Sequence, residues 1–224
     1  MFLILFPSLP SMAYIADGDY YLRNVGSGKY LTGANSWGTK ASLGEYGIRV
    51  TLKRFSNGRY TIDTHFTAAD PTYHYLNSDG YLDAEKTEWI ITEISGGNYA
   101  LTLDGSHYWG YNGNSTVVDN TLTDITHPNA QWQLVTREQL KSTLSSATMS
   151  HGVDATFYIK GHSFNRNHNE NTAWMGGPQL GGYERNFCAE KYNTTKTDVY
   201  QILTGLPNGY YILEVQGFYR DSYD

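Results

Sequence analysis

The chain has one cysteine, Cys188, so no intramolecular disulfide can form and no Cys-pair metal or redox site exists. Phe187 and Ala189 flank it and supply no cation to activate the thiol. A small buried hydrophobe is the reading its surroundings favour. Charge is also scarce. Charged residues make up 17% of the chain, and 16 basic against 22 acidic side chains leave a formal net charge of −6. Polyanion binding needs basic surface to displace counterions, so a nucleic-acid partner is excluded. Long apolar runs are missing, since Phe2-Leu3-Ile4-Leu5-Phe6 falls far short of a bilayer span. Catalytic signatures are missing too. There is no Gly-x-Ser-x-Gly elbow, no P-loop and no His-Glu-x-x-His, so these residues are not expected to form an enzyme. The seven histidines are scattered, and His162 and His168 lack helical i, i+4 spacing. No metal site and no cofactor are expected.

What the chain has in abundance is aromatic and turn-forming residues. Phe, Trp and Tyr make up 15%, including 20 tyrosines, beside 23 glycines. Short strands joined by tight turns use that mixture, so the fold class is all-β. The pattern Gly-x-Tyr-x-(Leu/Ile) occurs at Gly18-Asp19-Tyr20-Tyr21-Leu22, Gly58-Arg59-Tyr60-Thr61-Ile62 and Gly97-Asn98-Tyr99-Ala100-Leu101, at intervals of 40 and 39 residues. Each is followed by a pair that begins with an aromatic residue: Tyr30-Leu31, Tyr75-Leu76 and Tyr108-Trp109. Each unit closes on an alternating segment: Val50-Thr51-Leu52, Trp89-Ile90-Ile91 and Trp132-Gln133-Leu134. Three signals in one register mark an internal repeat. Alternation places Tyr20 with Leu22, Tyr60 with Ile62 and Tyr99 with Leu101 on one face. Closing three such units on one another would remove the exposed sheet edges.

With these motifs, residues 16–135 resemble a β-trefoil of the ricin-B lectin type. Asn129-Ala130-Gln131-Trp132-Gln133-Leu134 is the nearest approach to that family's Gln-x-Trp ending. Gln131 stands directly beside Trp132 and not two before it, and the first unit closes on Val50 and Leu52 without a Trp. The resemblance implies the fold more than any particular sugar site.

Thr136-Arg137-Glu138-Gln139 has capping-box spacing, and Leu140, Leu144 and Ala147 follow at i, i+4 and i+7. The spacing predicts a linker helix over 136–148 whose apolar stripe docks on a neighbouring module. From Asp154 the pattern returns to β, with strands expected at Ala155–Ile159, Asp198–Leu203 and Tyr210–Tyr219. Cys188-Ala189-Glu190-Lys191-Tyr192, Asn193-Thr194-Thr195 and Leu206-Pro207-Asn208-Gly209-Tyr210 resemble the first half of a galactose-binding-like jelly roll. Residues 150–224 therefore read as an incomplete β-sandwich, and the two-module layout is similar to predicted exported proteins of gut-type bacteria. At the other end, residues 1–13 carry small residues at Ser11 and Ala13 behind the short apolar run. They read as a signal-peptide remnant, placing the protein outside the cell or on its surface. A misplaced start or a frayed strand is the alternative.

Sugar recognition needs a flat aromatic face beside fixed carboxylate and amide groups. Trp37 lies among turn residues, and the third unit offers Asp104, Trp109, Tyr111 and Asn112 in the order that a ricin-type site uses. Trp109 and Tyr111 equally suit a pseudo-symmetric core. In the second module Trp174 follows the polar loop Asn165–Asn171, which is either a solvated loop or a second sugar contact. The resulting expectation is a non-catalytic, lectin-like accessory region with a glycan or glycoconjugate partner. A protein-interaction or adhesion module without sugar binding is the alternative.

Overall fold

In a computed structural model, residues 14–35, 39–66, 70–113, 118–164, 169–180, 189–190 and 198–215 are described. The expected signal segment 1–13, Trp37 and Cys188 lie outside the described residues.

The three Gly-x-Tyr segments become strands β1 (Gly18–Asn24), β5 (Tyr60–Asp63) and β7 (Asn98–Thr102). Each tyrosine pairs with the residue that opens a unit's closing segment: Tyr20 with Val50, Tyr60 with Trp89 and Tyr99 with Trp132. Those closing segments are β4 (Val50–Arg54), β6 (Ile90–Ser95) and β10 (Gln131–Val135). β1 pairs with β4, β4 with β5, β6 with β7, β7 with β10, and β10 returns to β1. The Tyr60–Trp89 bridge joins β5 to the β6 segment and completes the ring. Six strands thus close into a barrel with no free edge.

Three hairpins cover one end. The first is β2 (Tyr30–Asn35) with β3 (Lys40–Gly44), and the third is β8 (Tyr108–Tyr111) with β9 (Val118–Leu122). The second is reduced to a bridge between Tyr75 and Ala84. They knit at Gly80, whose carbonyl accepts the Ala41 N–H at 2.7 Å while Thr39 O accepts the Leu82 N–H at 2.8 Å. Gly80 has φ +78°, and a Cβ there would stand 2.9 Å from the Val118 carbonyl oxygen. Only glycine fits where the three hairpins meet. A six-stranded barrel capped by three hairpins is a β-trefoil.

The core repeats with the same symmetry. Leu22, Ile62 and Leu101 are fully buried at one level, and Leu31, Leu76 and Trp109 at another. The carbonyls of that second set are satisfied in parallel. Leu76 O accepts the Trp89 indole N–H at 3.1 Å and Trp109 O accepts that of Trp132 at 2.8 Å. In the first unit, which has no closing Trp, the backbone N–H of Ile48 takes Leu31 O at 2.9 Å. A backbone donor replaces the missing indole, so a buried acceptor is not left unpaired. Tyr20 and Tyr99 have phenol pKa values raised by burial and by their phenolic neighbours, Tyr60 among them.

Beyond the trefoil, helix α1 (Arg137–Thr143) carries the expected cap. Thr136 Oγ1 accepts the Gln139 N–H at 3.2 Å, and Gln139 Oε1 accepts the Thr136 N–H at 2.7 Å. A 3-10 turn at Leu144–Ser146 ends it. The apolar stripe docks only in part: Leu140 and Leu144 are half-buried and Ala147 is exposed, because one side of so short a helix meets β1 and little else.

The second module departs from the expected strands. Thr156–Tyr158 forms a 3-10 turn, started by the Asp154 carboxylate accepting the Thr156 N–H at 2.9 Å. Of Asp198–Leu203, only Tyr200 bridges, to Met175. Gln201 instead uses its side chain to bind both the N–H and the C=O of Lys160, each at 2.9 Å. Tyr210 to Val215 have no ladder partner among the described residues. The paired strands there are β11 (Gln179–Leu180) and β12 (Ala189–Glu190), two residues each. Strand propensity is expressed only where a neighbouring strand takes the backbone groups, and beyond this two-stranded pair no sheet is formed among the described residues after 150.

Candidate functional site

The third unit turns from β7 into β8 through Thr102–His107, and this turn holds the best-defined polar group facing solvent. Asp104 Oδ1 accepts the backbone N–H groups of Ser106 and His107, each at 2.8 Å. Its Oδ2 lies 2.7 Å from His107 Nδ1. Thr102 Oγ1 donates to His107 O at 2.6 Å and accepts the Gly105 N–H at 3.0 Å, locking the turn from beneath. The His107 side chain, then the backbone donors, hold the Asp104 carboxyl well below the usual carboxylate range. Asp104 is therefore an ionised acceptor in a fixed orientation. It shares a small, solvent-open recess with His107, Leu103, Asn120, Ser78 and Trp89. Asn120 comes from β9 and Ser78 from the preceding unit, so the recess spans a unit boundary.

The other expected sugar contacts distribute differently. Trp109 is fully buried, stacked on Trp132 with centroids 5.0 Å apart and planes 19° apart, and 5.9 Å from Trp89. It is a core residue and cannot offer a face to a ligand, which corrects its placement among the binding residues. Tyr111 packs partly against the same core, its hydroxyl donating to Gly113 O at 3.3 Å. Asn112 donates to Asp119 Oδ2 at 2.7 Å. Asp104 and Asn112 flank opposite ends of β8, roughly 13 Å of strand apart, so the two do not converge on one ligand. Trp174 is half-buried, with its indole N–H on Gly161 O at 3.1 Å and its ring 4.7 Å from Phe164.

A second polar cluster was invisible in the sequence. Arg49 bonds Glu170 Oε1 through Nε and Asp19 Oδ2 through Nη1, both at 2.8 Å. Thr51 Oγ1 donates to Asp19 at 2.5 Å and lies 2.9 Å from His65 Nε2, while Asp63 receives His74 Nδ1 at 2.9 Å. Burial opposes the Arg49 charge, but its two carboxylate partners outweigh that and raise its pKa. His65 sits at φ +60°, and burial and Arg49 lower its imidazole pKa. Arg49 and Glu170 are 121 residues apart, so no local spacing could have paired them. Their role is to fasten the segment around Glu170 to the barrel.

No family model matches this chain, and no curated protein matches it. Solved structures similar to it cover about half of it. A ricin B-like lectin of Macrolepiota procera, in complex with lactose, is 12% identical over 55% of this chain and 99% of the lectin, with a TM-score of 0.43. The designed three-fold symmetric protein ThreeFoil is 20% identical over 54% of this chain and 99% of its own, with a TM-score of 0.39. A salivary protein of Culex quiquefasciatus is 18% identical over 55% and 96%, with a TM-score of 0.40. The trefoil assignment stands on the strand pairing above. Among the described residues no helix is long and apolar enough to cross a membrane, and no group of three or more His, Cys, Asp or Glu is placed to hold a metal ion.

Proposed function

We propose that this chain is an exported, non-catalytic carbohydrate-binding region whose ligand site is the recess at Asp104. The observation that carries the reading is Asp104 itself. It is a solvent-facing carboxylate held rigid by three hydrogen bonds, next to the Asn120 amide, the Ser78 hydroxyl and the apolar Leu103. Fixed acceptors beside an amide and an apolar floor match the hydroxyls and C–H face of a sugar ring. Preorganisation lowers the ordering cost of binding. A glycan array on the whole chain, followed by titration of Asp104→Ala and Asn120→Ala against any glycan retained, tests it. Each variant should lose at least about tenfold in affinity. Unchanged affinity in both would remove the recess from the reading.

The protein-interaction alternative draws on a different observation. Tyr210, Ile212, Leu213 and Val215 expose apolar side chains in sequence. A silent glycan array together with protein capture that is lost on Ile212→Ser and Leu213→Ser would favour it.

A further inference from the structure

We propose that the cleft between the first trefoil unit and the 154–162 turn binds a small organic cation bearing a methylated ammonium group. The cleft is a small, solvent-open recess. Its walls are rings. Tyr46 and His162 stand nearly perpendicular, with planes at 81° and centroids 6.0 Å apart. The Tyr30 ring lies directly on Gly47, where a Cβ would come within 3.2 Å of its Cγ and Cδ1. Tyr21 and Phe157 complete the lining. Aromatic side chains lining a small recess beside carboxylates form a setting that attracts an ammonium carrying methyl groups.

The charges agree with this. Two carboxylates, Glu45 and Asp154, line the cleft, and no lysine or arginine does. The nearby cations are already engaged, Lys29 by one of these two carboxylates. Lys29 pairs with Glu45 at the exposed rim at 3.3 Å, Arg49 holds Glu170 and Asp19, and Arg137 lies over the Tyr158 ring at 5.3 Å. Asp154 is fixed by the Thr156 N–H. His162 is pushed toward its neutral form by burial, so it adds a ring without a repelling charge. A neutral sugar would find no side-chain amide in the lining, whereas a cation pairs with Asp154 directly.

Choline titrated into the whole chain, followed by NMR of the aromatic side chains, tests the assignment against 3,3-dimethylbutan-1-ol, which has the same shape without the charge. Choline should shift the His162 and Phe157 resonances, and the neutral analogue should bind about tenfold more weakly. Tyr46→Ala should weaken choline about tenfold with the backbone spectrum preserved, because Tyr46 is already half-exposed. Asp154→Asn keeps an acceptor for Thr156 and should weaken choline alone. Asp104→Ala should leave choline binding unchanged, which separates this cleft from the glycan recess. Equal binding of the neutral analogue, the same shifts with free galactose, or no shift up to about 20 mM choline would each overturn the proposal.

Discussion

Truncating Trp109 separates a core role from a binding role more cleanly than any other change. The residue is fully buried and stacked on Trp132, so Trp109→Ala removes a large side chain that its neighbours cannot replace. Such truncations cost about 3–5 kcal/mol, a range that includes lost stacking. One effect opposes this. Among the described residues the Trp109 indole Nε1 is buried without a hydrogen-bond partner, and removing it relieves about 1–3 kcal/mol. The net cost for Ala is about 2 kcal/mol. Leu occupies the equivalent place in the other two units, at Leu31 and Leu76, so Trp109→Leu should cost only about 1 kcal/mol. Its backbone carbonyl still receives the Trp132 indole. For a module of this size the expected falls in melting temperature are about 8 °C for Ala and about 4 °C for Leu. Near-UV circular dichroism melts measure both, and a glycan titration well below either melt measures binding. Affinity should be unchanged in both variants. A melt within about 2 °C of wild type for Trp109→Ala, joined to lost binding, would refute the reasoning and return Trp109 to the site.

Three further outcomes follow from local geometry. Thr136→Ala should destabilise the α1 region by about 0.5–2 kcal/mol, seen as faster amide exchange over Arg137–Thr143, because it removes the acceptor for the Gln139 N–H. In a double-mutant cycle, Arg49→Met and Glu170→Gln should show a coupling of about 0.5–2 kcal/mol, with faster proteolysis near Glu170 in either single variant. A coupling near zero would mean that the pair does not hold the segment. Stability should also fall as pH drops below about 6.5. His162 and His65 have folded pKa values lowered by burial, so the unfolded chain binds protons first and folding loses free energy through that window. Asp19, whose pKa is lowered from 3.8, acts only at more acid pH. Melts between about pH 7.5 and 5.5 should show the decline, and His162→Gln should flatten it.

The barrel was legible in the sequence because its causes are local and repeated. Gly-x-Tyr-x-(Leu/Ile) at regular intervals places tyrosines and aliphatics on one face, and the structure pairs Tyr20, Tyr60 and Tyr99 with the three closing positions. The capping box at Thr136 and Gln139 was legible for the same reason: both of its hydrogen bonds lie within four consecutive residues. The site was legible only in part. Asp104 stands in a turn that its own neighbours define, whereas Asn120 and Ser78 join it through hairpin packing across a unit boundary. Whether Trp109 faced ligand or core depended on which side of β8 met the axis, and period-2 alternation does not say which side is inside. Among the described residues, the strands expected after residue 150 did not form, on the same ground. Apolar alternation at Tyr210–Val215 describes a segment able to join a sheet, but a strand exists only where another backbone takes up its hydrogen bonds. Arg49 with Glu170 is the extreme case, for charges 121 residues apart become partners only after folding has brought them together. The sequence by itself determined what recurs within a few residues: repeat, turn and cap. Tertiary structure alone decided which faces turned inward and which distant groups met, because burial and pairing belong to the whole chain's geometry and to no short stretch of it.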